Sequence, residues 1–355
     1  MQANPVSRHF LPPLGPTTER ITTLVVLSIL GLLWIYVVFR TKTYDWLLIS
    51  GWASLVLGIA LIRSIPDRLD QTLERLADRA VLAAGNEQLD DFRREVEEKV
   101  AHYWAPWGGV VVATAIAVAF LWAFTFEQLL SRMLLLSAEV TGGYLAGCYL
   151  GRLSCYGTLG VMLKVRNMKL HVIPGHLDGV AGWKPVGDFF FYQAMVVGIP
   201  AAFLAVWLLL IPLPQFHMRY HHWQEPYLAL LVAAVCFEVL AFILPLWTFH
   251  REMLQQKRAF LRNADHLSPR IAEIQQQIVQ TESEDHLVGL KSKLADMTAY
   301  ARTLEELPVW PVSNRTKRIF GLNNLGLVIP LLAQYSGLSK EWADFLRGVS
   351  AAAGG

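Results

Sequence analysis

Only three cysteines occur in 355 residues, and Cys148, Cys155 and Cys236 all fall in or beside apolar runs. That number and placement exclude a disulfide-stapled secreted scaffold and a cysteine zinc site. Cys148 and Cys155 share a helical face with no other metal ligand between them, so they read as small buried apolar residues. Charge is also scarce: 17% of residues are Asp, Glu, Lys or Arg, and the formal net charge is +2. With so little positive excess and no Gly-rich phosphate loop, nothing marks the chain as a nucleotide or nucleic-acid binder. No convergent catalytic side chains name a reaction, which makes enzyme chemistry the least favoured class and leaves no cofactor to expect. The lead is Pro-rich (Pro12, Pro13, Pro16) and no small-residue cleavage site follows the first apolar run, so this end reads as an uncleaved anchor.

What is abundant is apolar sequence. A hydrophobic content of 54% and a mean hydropathy of +0.36 exceed those of an ordinary soluble domain. Runs of about 16 to 20 mostly apolar residues begin near Ile21, Trp46, Trp107, Leu129, Phe189 and Tyr227, and a bilayer core needs roughly 20 helical residues. Aromatics such as Trp34, Trp46, Trp104, Trp107, Trp223, Tyr227 and Trp247 stand where these runs meet the headgroups. The expected fold is all-α: a polytopic helical membrane protein with about six transmembrane helices, cytoplasmic helical hairpins and a C-terminal interfacial or re-entrant helix.

Basic residues set the expected orientation. Segments 1–20, 63–106, 151–186 and 248–318 hold 2, 7, 5 and 11 Lys and Arg, whereas the alternate connections hold only Arg40, Lys42, Arg132 and Arg219. The positive-inside rule then puts both termini and both long charged stretches in the cytoplasm, with the chain in the inner (plasma) membrane. The expected organisation is a cytoplasmic arm (1–20), hairpin 1 (21–63), a cytoplasmic helical segment (64–106), hairpin 2 (107–150), a basic loop (151–188), spans five and six (189–247), a cytoplasmic helical or coiled-coil segment (248–307) and an amphipathic C-terminal region (308–355). Loops 40–45 and 125–128 are short enough for tight hairpins. Between 66 and 103 the spacing predicts two helices folded back at Gly85-Asn86, or one long kinked helix continuing span two. Ser268-Pro269 marks a helix start, and the apolar spacing up to Leu304 predicts an antiparallel hairpin. Residues 319–338 contain Asn323, Asn324, Pro330 and Gln334, which is why an interfacial or re-entrant helix is expected there rather than a seventh span.

Several residues are candidates for function. Glu139 and Glu238 are acidic within predicted spans; an intramembrane carboxylate is costly, so each is a pathway candidate for cations or protons, and the two are plausible partners. Gly143, Gly147 and Gly151 recur every four residues, which suits close helix packing, with a flexible pore-lining face as the sharper reading. His171, His176 and Asp178 offer ligands for a divalent metal, although the turns at Pro174-Gly175 and Asp178-Gly179 explain the loop without one. His217, His221, His222 and Glu225 form a similar cluster on the expected outer side. Basic groups recur near the inner leaflet: Lys164, Arg166 and Lys169; Arg251, Lys257, Arg258 and Arg262; Arg315, Lys317 and Arg318. They suit anionic lipid headgroups or an anionic cytoplasmic ligand. The reading these features favour is an oligomeric channel or pore gated through its cytoplasmic helical layer, as in a bacterial defence effector with an antiviral role. A secondary transporter, for which Pro200 and Pro245 would break spans five and six, and a membrane sensor or scaffold are the alternatives. The expected partners are the lipid bilayer and further copies of the chain.

Overall fold

The structure, a computed structural model, describes residues 46–123, 129–221, 224–280 and 284–335, together with Val25, Ser28, Ile29, Gly31, Leu32 and Tyr36. The arm 1–20, most of the first apolar run, the loops 40–45 and 125–128, the side chain of Glu139, and the tail from 336 lie outside that description. Helix dominates, and the only strands among the described residues are two residues long each. Among the described residues two helical stretches are long and apolar enough to cross a membrane, Ile49–Asp78 and Gln224–Gln280, and a third exists if two helices joined at a 43° bend count as one.

The first stretch contains α1 (Trp46–Ile62) and α2 (Ile65–Asp78), separated at Arg63-Ser64. There the Tyr192 hydroxyl donates to the Leu61 carbonyl (3.1 Å) and lies 2.8 Å from Ser64 Oγ, satisfying groups that an interrupted helix leaves open. The amphipathic α2 buries Ile65, Leu69, Leu73 and Leu76. It ends at Ala80, whose φ of 55° lets the Val81 N–H reach back to Leu76 O (2.9 Å). α3 (Asn86–Lys99) then folds back, and Arg93 ties it to Asp70 (3.0 Å) and Glu74 (2.9 Å) on α2. The two-helix alternative expected for this segment is therefore the one adopted, with α2 also prolonging the apolar helix before it.

A π-helical turn, Val100–Trp104, joins α3 to α4 (Ala105–Ala123). Pro106 supplies no N–H and crowds the carbonyl four residues back, and a widened turn accommodates both effects. α5 (Leu129–Gly157) returns antiparallel to α4. The short α6 (Leu159–Val165) closes with Asn167 at φ 55°, and Met168 N–H bonds Leu163 O, the same left-handed ending as α2. These matched endings release β1 (Leu82–Ala83) and β2 (Lys169–Leu170), which pair antiparallel with Leu82 opposite Leu170.

After an ordered loop come α7 (Lys184–Val197) and α8 (Ile199–Leu210), then the short α9 (Pro214–Tyr220), whose Phe216 and Tyr220 pack edge-on against Trp207. Span five thus begins at Lys184 rather than at Phe189 and is broken near its middle. α10 (Gln224–Ala264) runs 41 residues through Pro245 without interruption, so the expectation that Pro245 breaks span six is not met. α11 (Leu267–Gln280) and α12 (Glu284–Glu305) pack on each other as the expected hairpin. α13 (Asn314–Tyr335) is the last described helix. Phe320 packs on Phe242 with ring centroids 4.3 Å apart, Asn323 meets Glu238, and Leu327 shares a core with Leu231 and Tyr227. Partners falling in number as α13 advances mean that it lies antiparallel beside α10. Asn323 turns toward Glu238, whereas Asn324 donates to Phe320 O of its own helix (3.0 Å).

One core, centred on the fully buried Trp183, joins α2, α3 and α6 to α7 and the second half of α10. A second, around Leu204, Trp207, Leu208 and Ile211, lies at the opposite end of α8 with Tyr227 and Leu231.

Candidate functional site

The break between α7 and α8 follows from Ile199-Pro200: proline denies an N–H to the carbonyl four residues earlier and its ring crowds that carbonyl. Gly198 takes the joint in ordinary right-handed geometry (φ −71°, ψ −12°), so its value there is space, not conformational freedom. A Cβ at 198 would stand 2.5 Å from Glu238 Oε2 and 2.9 Å from Oε1. The missing side chain thus makes a notch in the broken helix that Glu238 of α10 fills. Glu238 is 0% exposed. Its Oε1 accepts from Asn323 Nδ2 of α13 at 3.3 Å, while Oε2 has no hydrogen-bond partner, and the nearby Asn324 Oδ1 is also buried without one. Three elements therefore converge on one carboxyl group with one oxygen open, a group that is costly to bury unless it takes a proton or a cation. Sequence reasoning singled out Glu238 but missed Gly198 and Asn323; Gly-Ile-Pro inside an apolar run was the available signal.

The glycine stripe makes the close helix packing that its spacing suits. A Cβ on Gly147 would come 2.8 Å from both Gly108 C and Gly109 Cα, and one on Gly151 would come 2.6 Å from Trp104 C. Gly143 faces the Ile116 side chain. All three residues face α4 or the turn before it, so the stripe closes the α4/α5 hairpin.

His171, His176 and Asp178 are not gathered as a three-ligand group. Among the described residues no three His, Cys, Asp or Glu gather as metal ligands, in this loop or around His217 and His221. Asp178 instead organises its own loop, accepting from Val180 N (3.0 Å), Gly182 N (2.9 Å) and Lys184 N (3.3 Å), and pairing with Arg79 at 2.8 Å. Burial by itself would raise its pKa, but the N–H groups of Gly182, Val180 and Lys184 together hold the carboxyl below its usual value. The ordered loop expected at this end of the spans is thus present, and Arg79 is a partner that sequence reasoning missed. His171 binds through its backbone, donating to Val81 O and accepting from Trp183 Nε1.

The ten basic residues do not form one site. Arg166 pairs with Glu95 at 2.5 Å, and Lys257 Nζ caps the end of α12 through Glu305 O (2.6 Å) and Leu307 O (2.8 Å). Arg315, Lys317 and Arg318 are exposed in the first turns of α13, as are Arg258 and Arg262 on α10. Lys164, Lys169 and Arg251 come together, lining one groove of about 880 Å³. Comparison with protein-family models, with curated proteins and with solved structures found no match.

Proposed function

We propose that the chain is a multi-spanning membrane protein that moves protons or small cations across the bilayer by loading and unloading Glu238. One observation carries this reading: a fully buried carboxyl group sits in the notch of a broken helix, with one oxygen bonded to Asn323 and the other open. Discontinuous helices that present a polar residue near the bilayer midplane are the architecture of ion-coupled carriers. Tyr227 and Trp247 are 20 residues apart on α10, about 30 Å, and Glu238 falls near the middle of that interval. In the proposed topology the six apolar runs cross the membrane in hairpins, α13 inserts beside spans five and six, and the end bearing α2, α3, α11 and α12 is cytoplasmic because the basic residues concentrate there.

A gated oligomeric pore is the second reading, favoured by a specific observation. The membrane-length stretches Ile49–Asp78 and Gln224–Gln280 continue from apolar sequence into the polar helical layer, so movement of that layer would tilt both. This reading requires several copies around a shared axis, with an anionic cytoplasmic ligand biasing the layer.

Both are tested with purified protein in liposomes holding a pH-sensitive dye, with Glu238→Gln alongside. The carrier reading expects saturable flux driven by a proton or cation gradient, falling to the level of empty liposomes in the variant. Stepwise single-channel conductance favours the pore. Flux unaltered by Glu238→Gln refutes the role assigned to Glu238.

A further inference from the structure

The groove holding Lys164, Lys169 and Arg251 lies between the α6/β2 connection and the second half of α10, away from Glu238. Its walls are fixed by Gln256. That side chain accepts from Val172 N (2.8 Å) and donates to Leu170 O (2.5 Å), fastening the strand segment to α10, and it also donates to Glu252 Oε1 (2.9 Å). The left-handed Asn167 turns the chain so that Lys169 follows α6 along the rim.

Charge in the groove is uneven. Lys164, Lys169 and Arg251 contribute three cations; Glu252 is the single carboxylate in the lining and already accepts from Gln256. Among the described residues no carboxylate lies within ion-pair distance of Lys164, Lys169 or Arg251. This contrasts with Arg166 and Lys257, which the fold has engaged. The remaining lining is mixed: Asn167, Thr248 and Gln255 are polar, and Val161, Trp247 and Phe260 are apolar. Val161 and Val165 beside Lys164 are 51% and 75% exposed, and Leu244, one turn before Trp247, is 63% exposed. Trp247 itself clusters with His250 and Trp310, an aromatic grouping suited to the headgroup level.

We propose that this groove is a binding site for the phosphate headgroup of an anionic phospholipid. The three cations hold the phosphate and the exposed valines and leucine meet the acyl chains. A free anion would use the cations alone and have no use for the apolar side. The shared chemistry is a phosphate oxyanion held by Lys and Arg, and the apolar rim commits the site to the lipid-borne form. The site stands independently of the transport reading.

The test is native mass spectrometry of the purified full chain after detergent exchange, titrated with a short-chain phosphatidylglycerol, with phosphatidylcholine of equal chain length and with inorganic phosphate. One saturable phosphatidylglycerol site is expected, weakened about a hundredfold in the triple variant Lys164→Gln, Lys169→Gln, Arg251→Gln. Arg258→Gln with Arg262→Gln removes two exposed charges of α10 outside the groove and is expected to leave binding within about twofold of wild type. Because all three substituted side chains are exposed, the elution profile and helical circular dichroism are expected to match wild type; Arg251→Lys, which keeps the charge, is expected to retain binding if the triple variant misfolds. Equal weakening by the two-residue control would show diffuse attraction and overturn the site. Displacement of the lipid by millimolar inorganic phosphate, or equal binding of phosphatidylcholine, would overturn the assignment to an anionic lipid.

Discussion

Replacing Gly198 with alanine tests the site most directly, because its sign is set by a competition the structure lets us weigh. The backbone there is right-handed, so alanine fits without strain and restricts the unfolded chain, a gain of about 0.5 to 1 kcal/mol. Against this, the new Cβ would lie 2.5 to 2.9 Å from the Glu238 carboxyl atoms. A side-chain terminus ordinarily swings away cheaply, but Glu238 is 0% exposed and has no solvent-filled space to enter. Overpacking of this kind costs about 1 to 3 kcal/mol, and a carboxyl pushed off Asn323 loses about 1 kcal/mol more. Gly198→Ala is therefore expected to destabilise the protein by about 1 to 3 kcal/mol. In a Glu238→Ala background the obstacle is gone, and the same substitution is expected to stabilise by about 0.5 to 1 kcal/mol. The assay is a double-mutant cycle of denaturant unfolding in detergent, with an expected coupling of about 2 to 4 kcal/mol. Coupling below about 0.5 kcal/mol would refute the notch and with it the placement of Glu238 against the helix break.

Two further substitutions test other parts of the structure. At Gly151 a methyl group meets main chain, Trp104 C at 2.6 Å and Ala105 Cα at 3.1 Å, which cannot rotate aside; Gly151→Ala is expected to cost about 3 kcal/mol, whereas Gly142→Ala, with nothing within 4 Å of its Cβ, is expected to be neutral or slightly stabilising in the same unfolding assay. Because the pKa of Asp178 is lowered on folding, its stabilisation is present above the unfolded value of about 3.9 and is lost as pH falls through the lower folded value. Asp178→Asn is accordingly expected to cost about 2 to 4 kcal/mol at neutral pH and to remove the acid-side loss of protection at the Gly182 amide, read by hydrogen exchange; unchanged protection across that range would contradict the network.

How much the sequence disclosed depended on whether the signal was local. The hairpin of α11 and α12 and the fold-back after α2 are written in apolar spacing and turn residues, and they appear where expected. The packing partners of α13 were not legible, because hydropathy averages over a window. Asn323 and Asn324 lower the average, yet Asn323 faces Glu238 and Leu327 faces the apolar core. The basic residues were legible as a class, but not as those the fold consumes, such as Arg166 and Lys257, and those it leaves without an ion pair, such as Lys164 and Lys169.

By itself the sequence determined the helical class, the membrane-length apolar stretches and the presence of a carboxylate among apolar residues, since each depends only on the order of side chains along one helix. Tertiary structure alone decided that Glu238 fills the space left by Gly198 and meets Asn323, residues 40 and 85 positions away in the chain. It also decided that the glycine stripe closes the α4/α5 hairpin. Both are facts of which faces meet, and contact between distant segments is set by packing that no local pattern records.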